Sequence, residues 1–162
     1  MFDKFGEFDS HEELNRAAAA QLKEGDEEAL MALAQENGID EEDVKDYING
    51  DIQELSTPLT AAFGKLDVEA GELKPYGIME DWITYIKIRC SEEPAMALAV
   101  RRKEKSLKTC MAALLTWSLK NAREVDKGIL KKAGISYRVT LGIPGMAQAK
   151  KIITQYYLGG ES

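Results

Sequence analysis

The chain is poor in the residues from which most enzyme active sites are built. Its 162 residues include one histidine, His11, and two cysteines, Cys90 and Cys110. The sequence has no Cys/His spacing typical of a zinc site and no serine or cysteine with a visible base. The two cysteines fall inside apolar helical patterns, so we predict buried free thiols and a cytoplasmic protein. No apolar run approaches the roughly 18 residues of a membrane span, so no membrane association is expected.

The first half of the chain has few basic residues, and the second half has few acidic ones. Residues 1–81 contain 22 acidic and 6 basic residues, a net charge of −16. Residues 82–162 contain 6 acidic and 15 basic residues, a net charge of +9, and the whole chain carries −7. Because net charge governs steering and non-specific binding rather than fold, this asymmetry concerns partners. The acidic half suits the basic groove of a nucleic-acid-binding protein, and the basic half suits nucleic acid or the acidic half itself.

Signals for helix starts and ends recur along the chain. The predicted starts are marked by Ser10, Asp26, Asp40, Thr57, Pro94, Ser106 and Asp126. These signals and the apolar spacing predict an all-α, compact bundle of about eight to nine short helices with little or no β structure. The helix that Ser106 begins is the most apolar and is predicted to be central. Residues 137–141 alternate apolar and polar, but a lone strand has no partner, so we interpret them as an extended connector.

The length predicts one domain. We expect residues 1–162 to form a single helical domain. An acidic N-terminal subdomain, residues 1–55, packed on a helical part, residues 56–158, is compatible with the same pattern. Residues 159–162 are predicted to form a frayed tail.

The acidic residues concentrate on the first predicted helices. The candidate partner-binding residues are Glu24, Asp26, Glu27, Glu28, Glu36, Asp40, Glu41, Glu42, Asp43 and Asp46. Seven of these fall in or beside first helical turns, where a carboxylate is favourable by about 0.3–1 kcal/mol. That explanation leaves out Glu24 and Glu36, which lie near helix C-termini, and Asp46. The acids form a solvated face, a protein-binding face that imitates nucleic-acid phosphates, or a metal site. Residues 40–51 do not form a calcium loop, because Lys45 stands where such a loop requires glycine.

A run of basic residues precedes the most apolar helix. It comprises Arg101, Arg102, Lys103 and Lys105, and Lys108 follows. Cations are unfavourable at a helix N-terminus, so something must offset the cost. The chain's own acidic half, a nucleic-acid phosphate and a protein partner are the three alternatives.

Several segments together resemble a known family. They are residues 37–50 (NGIDEEDVKDYING), 99–107 (AVRRKEKSL), 142–145 (GIPG) and 149–153 (AKKII). The pattern resembles the PcfK-like proteins of bacterial mobile elements, a group that includes inhibitors of type II CRISPR nucleases. The resemblance implies a small phage- or plasmid-borne protein that blocks an RNA-guided nuclease and has no catalytic residues.

The resemblance and the charge lead to one hypothesis. The protein is expected to be an anti-CRISPR protein of the bacterial cytoplasm that binds a type II nuclease with its guide RNA. It would block target DNA binding or cleavage through an acidic, DNA-mimicking face, without enzyme activity, cofactor, metal or direct DNA binding. The alternative is a nucleic-acid-binding accessory protein of conjugation or plasmid maintenance that acts through the basic residues. The oligomeric state stays open.

Overall fold

A computed structural model describes residues 2–159. Within these residues the chain forms nine α-helices and one pair of two-residue strands, so the all-α prediction is confirmed. The helices are α1 (His11–Glu24), α2 (Glu27–Glu36), α3 (Glu41–Asn49), α4 (Pro58–Leu73), α5 (Ile78–Glu92), α6 (Pro94–Arg101), α7 (Leu107–Asn121), α8 (Lys127–Lys132) and α9 (Met146–Leu158). The strands are β1 (Arg123–Glu124) and β2 (Thr140–Leu141). Of the tail predicted at 159–162, residues 160–162 lie outside the described residues.

Polar residues before the helices set most of the helix starts. The side chains of Ser10, Asp26, Ser106 and Asp126 each accept a backbone N–H from the first turn that follows. Thr57 and Thr60 form a reciprocal capping box at the start of α4. These bonds satisfy N–H groups that have no partner within the helix. The N-cap of α3, Asp40, is different, because its side chain makes no capping hydrogen bond.

The buried apolar side chains form two clusters that meet inside α4. One cluster joins α1, α2 and α3 to Leu55 and ends at Ala61. The other begins at Ala62 and joins α4, α5, α6, α7 and α9. The short helix α6 packs on α4, α5 and α9 and buries most of its residues. Only the first half of α7 is central as predicted, with Leu107, Cys110 and Leu114 in the larger cluster, because its second half carries no buried residue.

A close glycine contact holds the first three helices against α4. A Cβ atom on Gly64 of α4 would lie 2.2 Å from the Asn37 carbonyl oxygen, and one on Gly38 would lie 2.3 Å from the Gly64 carbonyl oxygen. Gly38 also has a φ of 69°, which favours glycine. Two glycines therefore allow the turn between α2 and α3 to touch the backbone of α4.

Residues 122–143 form a β1–α8–β2 segment outside both clusters. Arg123 pairs with Leu141 and Glu124 with Thr140 in an antiparallel arrangement. The interpretation of residues 137–141 as an unpaired connector is therefore corrected, because part of that segment has a strand partner about twenty residues earlier in the chain. No residue from 115 to 143 is buried.

Both cysteines lie in the larger cluster as free thiols. Burial raises the pKa of Cys90 and of Cys110 to about 12. Because the thiolate is the reactive form, we expect iodoacetamide at about pH 8 to leave both thiols unmodified in the folded protein and to alkylate both in urea. Intact-mass spectrometry measures the added groups. Rapid alkylation without urea would contradict the burial of this cluster.

Candidate functional site

Four carboxylates of the third helix and its N-cap form an acidic cluster, defined as Asp40, Glu42, Asp43 and Asp46. Partial burial raises the pKa of Asp43, and the charges of Asp40, Asp46 and Glu42 raise it further. The carboxylates of Asp40, Glu42 and Asp46 are therefore near enough to Asp43 to act on its charge. No lysine or arginine among residues 2–159 forms an ion pair with any of them.

The fifth predicted residue of this helix has a cation beside it. Glu41 forms an ion pair with Lys45 at 2.8 Å. The hydrogen bond from Lys45 and its positive charge lower the pKa of Glu41. Both side chains lie on the surface, and their opposite charges leave the pair with no net charge. The uncompensated charge of α3 therefore belongs to the acidic cluster rather than to Glu41.

The other exposed acids lie at the beginning of α2 and the end of α1. Asp26 accepts the Ala29 N–H at 2.9 Å, so its carboxylate has a capping role. Glu24, Glu27 and Glu28 are exposed, and none has an ion pair within the described residues. Glu27 and Glu28 are the first residues of α2. The ten residues of α2 extend about 15 Å, so these two acids lie at the end of the helix away from the α2–α3 turn.

Glu36 has a role inside the molecule. Its carboxylate accepts the backbone N–H of Lys4 at 2.9 Å and that of Phe5 at 3.2 Å. It therefore holds the N-terminal segment against α2, which accounts for an acid near a helix C-terminus. Its interaction with a partner stays a prediction.

The basic run is divided between the interior and the surface. The Arg101 side chain is 1% exposed, and its guanidinium donates to the Phe8 and Ala61 carbonyl oxygens and to Asn37 Oδ1. Arg101 is therefore removed from the predicted basic patch, because a buried, hydrogen-bonded guanidinium does not reach a phosphate. Burial lowers its pKa, although Glu7 and Glu69 favour the charged form.

Two of the four remaining basic side chains are engaged with the chain itself. Arg102 pairs with Glu104 at 3.0 Å on the surface. Lys105 donates to the Tyr156 carbonyl oxygen at 2.7 Å, near the negative end of α9. Lys103 and Lys108 are exposed, and neither side chain has an ion pair among residues 2–159. The backbone N–H of Lys103 donates to Asp9.

A buried lysine that the sequence did not indicate lies beside this run. Lys65 is 0% exposed, and its ammonium group donates to the Lys105 carbonyl oxygen at 2.7 Å and also to that of Arg102. Glu7 lies 2.9 Å from the same ammonium group, and Glu69 lies 3.8 Å from it. Lys65 therefore binds carbonyl groups that follow α6, and two acids of the N-terminal half balance its charge.

Glu69 also offsets the cations at the start of α7. Its carboxylate accepts the Leu107 N–H at 2.7 Å. Burial raises the pKa of Glu69, while the Leu107 hydrogen bond and the charge of Lys65 act in the opposite direction. Among the three alternatives for the basic run, these contacts favour the chain's own acidic half.

A pocket of about 490 Å³ lies beside these buried charges. Its wall includes Lys103, Lys105 and Lys108 together with Glu7, Glu69 and Glu72. Equal numbers of cations and anions give no advantage to a ligand of one charge. Within the described residues no group of three or more His, Cys, Asp or Glu side chains has the arrangement to hold a metal ion.

Comparison with known proteins adds no relative. Searches of protein-family models, of curated proteins and of solved structures find no match to the chain. Among residues 2–159 no helix has the length and apolar character to cross a membrane. The function is therefore inferred from the charged surfaces of the chain.

Proposed function

We propose that the protein is an inhibitor that binds a guide-loaded type II RNA-guided DNA nuclease and blocks target DNA binding or cleavage. The observation that supports this most is the acidic cluster. Three of its carboxylates act on Asp43, none of the four has an ion pair within the described residues, and the cap residue Asp40 makes no capping bond. A position at the helix N-terminus accounts for Asp40, Glu42 and Asp43 but not for Asp46. The like charges around Asp43 are unfavourable for the folded chain, so we assign the excess of acids to a role in binding a partner.

The spacing of these charges supports imitation of DNA. Residues 40 to 46 extend about 9 Å along a helix axis, so the four carboxylates present roughly one charge per 2 Å. Duplex DNA carries one charge per about 1.7 Å of its axis. A nuclease of this class reads its adjacent motif with arginine side chains and holds nucleic acid in a positively charged channel. An acidic helix of similar charge density would compete for those cations and associate with them rapidly.

Neutralising the acidic cluster is expected to abolish inhibition without unfolding the protein. For the variant Asp40→Asn, Glu42→Gln, Asp46→Asn we expect more than about a tenfold loss of inhibitory potency, since the cations of the nuclease lose their partners. Stability should change little, because the repulsion removed is offset by the loss of the favourable charges of Asp40 and Glu42 at the helix N-terminus. Cleavage of target DNA by the guide-loaded nuclease measures potency, and urea unfolding measures stability.

The matched control removes three exposed acids elsewhere. Glu80→Gln, Asp81→Asn, Glu92→Gln changes the net charge equally at surface positions on α5. Full inhibition by both variants would reject DNA imitation. Absence of inhibition by the wild-type chain across a panel of type II nucleases would reject the proposed function itself.

The second candidate is a nucleic-acid-binding accessory protein of conjugation or plasmid maintenance. It is favoured by residues 105–159, which contain ten Lys or Arg and two acidic residues. A gel shift with duplex and single-stranded DNA at low and moderate salt tests it. Binding that weakens as salt rises would support it, whereas no shift at low salt would exclude it.

The proposed inhibitor would act where its nuclease acts, in the cytoplasm of a bacterial host cell. The buried free thiols of Cys90 and Cys110 are consistent with a reducing compartment.

A further inference from the structure

A second surface of the molecule exposes large apolar side chains together with cations. We define the outer face as Leu115 and Leu119 of α7 with Leu141, Ile143 and Met146. Leu119 is 74% exposed, Leu141 64% and Ile143 63%. Leu115 and Leu119 are one helical turn apart and lie on the same side of α7. They lie beside and beyond the buried side of α7, which is formed by Leu107, Cys110 and Leu114.

The backbone around the turn after β2 brings these residues together. A Cβ atom on Gly142 would lie 2.2 Å from the Ser118 carbonyl oxygen and 3.1 Å from the Ala122 Cα atom. The turn is therefore in contact with the last part of α7. Leu141 and Ile143 flank Gly142, so the turn and the exposed leucines of α7 belong to neighbouring parts of one surface.

Nothing in the described chain covers this surface. The segment from 115 to 143 contains no buried residue, and its apolar side chains join neither cluster. The second half of α7 is as rich in leucine as a buried helix, yet its leucines are exposed. A large exposed apolar patch with a polar rim is typical of an interaction site.

The rim of the outer face is positively charged. Lys120 and Arg123 follow Leu119, and Arg123 lies directly opposite Leu141 in the strand pair. The two acids between 105 and 159 are engaged within the chain, since Glu124 pairs with Arg138 and Asp126 caps α8. A partner that complements this surface therefore carries apolar groups at its centre and carboxylates at its edge.

We infer that the outer face docks on an acidic protein surface with an apolar centre. This inference rests on the proposed function, and the surface belongs to the protein part of the nuclease, outside the channel that the acidic cluster enters. A protein surface fits better than nucleic acid, because aliphatic side chains gain free energy in an apolar interface core, whereas nucleic-acid interfaces are polar. Two surfaces of opposite charge then hold one partner at two places.

The test removes two exposed apolar side chains. Leu119→Ser, Ile143→Ser is expected to weaken binding to the guide-loaded nuclease by about 10- to 100-fold, the usual effect of truncating interface anchors. The control Tyr76→Ser, Ile88→Ser removes exposed apolar side chains elsewhere and should leave the affinity unchanged. Hydrogen exchange in the complex should show protection of residues 115–143. Circular dichroism checks that each variant is folded.

The outcomes separate this inference from the proposed function. Wild-type affinity of the Leu119/Ile143 variant, with no protection of residues 115–143, overturns the inference and leaves the proposed inhibitor intact. Failure of the wild-type chain to bind any guide-loaded nuclease overturns both. Binding of the guide RNA alone through Lys120 and Arg123, or a dimer that the same two substitutions dissociate in sedimentation, also overturns it. Those results would assign the face to RNA or to a second copy.

Discussion

Lys65→Met is expected to lower the free energy of unfolding by about 3–5 kcal/mol, the usual cost of removing one partner from a buried ionic network. The substitution keeps the length of the side chain but removes its ammonium group. The carbonyl oxygens of Arg102 and Lys105 then lose a donor, and Glu7 and Glu69 lose a cation. Urea unfolding followed by circular dichroism measures the change.

An exposed lysine provides the control for this substitution. Lys45→Met makes the same chemical change in a lysine that pairs with Glu41, one turn away on the surface. Surface pairs of this kind contribute little, so the stability should hardly change. Equal effects of the two substitutions would mean that Lys65 is not the buried link between the N-terminal half and the segment after α6.

Gly64→Ala is expected to destabilise the protein by about 3 kcal/mol or more, at the upper end of the cost of overpacking. Its new methyl group would lie 2.2 Å from the Asn37 carbonyl oxygen, and backbone atoms do not yield like a flexible side chain. The α2–α3 turn must therefore move away from α4. That movement also disturbs the hydrogen bond from Arg101 to Asn37.

The same substitution one heptad later in α4 should act in the opposite direction. Gly71 has no atom within 4 Å of the added Cβ and is exposed. Gly71→Ala should therefore stabilise the protein by about 0.5–1 kcal/mol, because alanine loses less backbone entropy in a helix. Urea unfolding of both variants measures the difference. Two changes of the same sign would contradict the glycine contact.

The helix boundaries were readable from the sequence because capping is local. Ser10, Asp26, Thr57, Ser106 and Asp126 act on N–H groups within three residues, and the structure confirms each cap. The prediction for Asp40 placed it correctly at an N-cap, but its carboxylate makes no such bond. A residue type favours a cap, while the orientation of its side chain depends on what surrounds it.

The contacts between distant segments could not be predicted from the sequence. Lys65 and Arg101 look like surface residues in the sequence, since lysine and arginine are almost never fully buried unless they are paired. Their partners come from up to 93 residues away, as for Arg101 and Phe8. The pairing of β1 with β2 depends on the same kind of contact. The position of Lys65 within the apolar stripe of α4 was the one available signal.

The candidate site could be predicted only in part from the sequence. The sequence gives the number of acids and their helices, but not which of them the chain uses itself. Glu36 holds the N-terminal segment and Glu41 has Lys45, whereas Asp40, Glu42 and Asp46 have neither role. The outer face escaped the sequence analysis because its leucines follow the same spacing as a buried stripe. Periodicity alone does not distinguish a core from a docking surface.

The division of the core within α4 limits how the length of this chain can change. Ala61 and Ala62 are consecutive residues, yet they belong to different clusters. One inserted residue in α4 would rotate everything after it by about 100° relative to everything before it, and the two clusters would no longer face their partners. The β1–α8–β2 segment belongs to neither cluster. Natural insertions and deletions should therefore accumulate there, and α4 should keep a constant length.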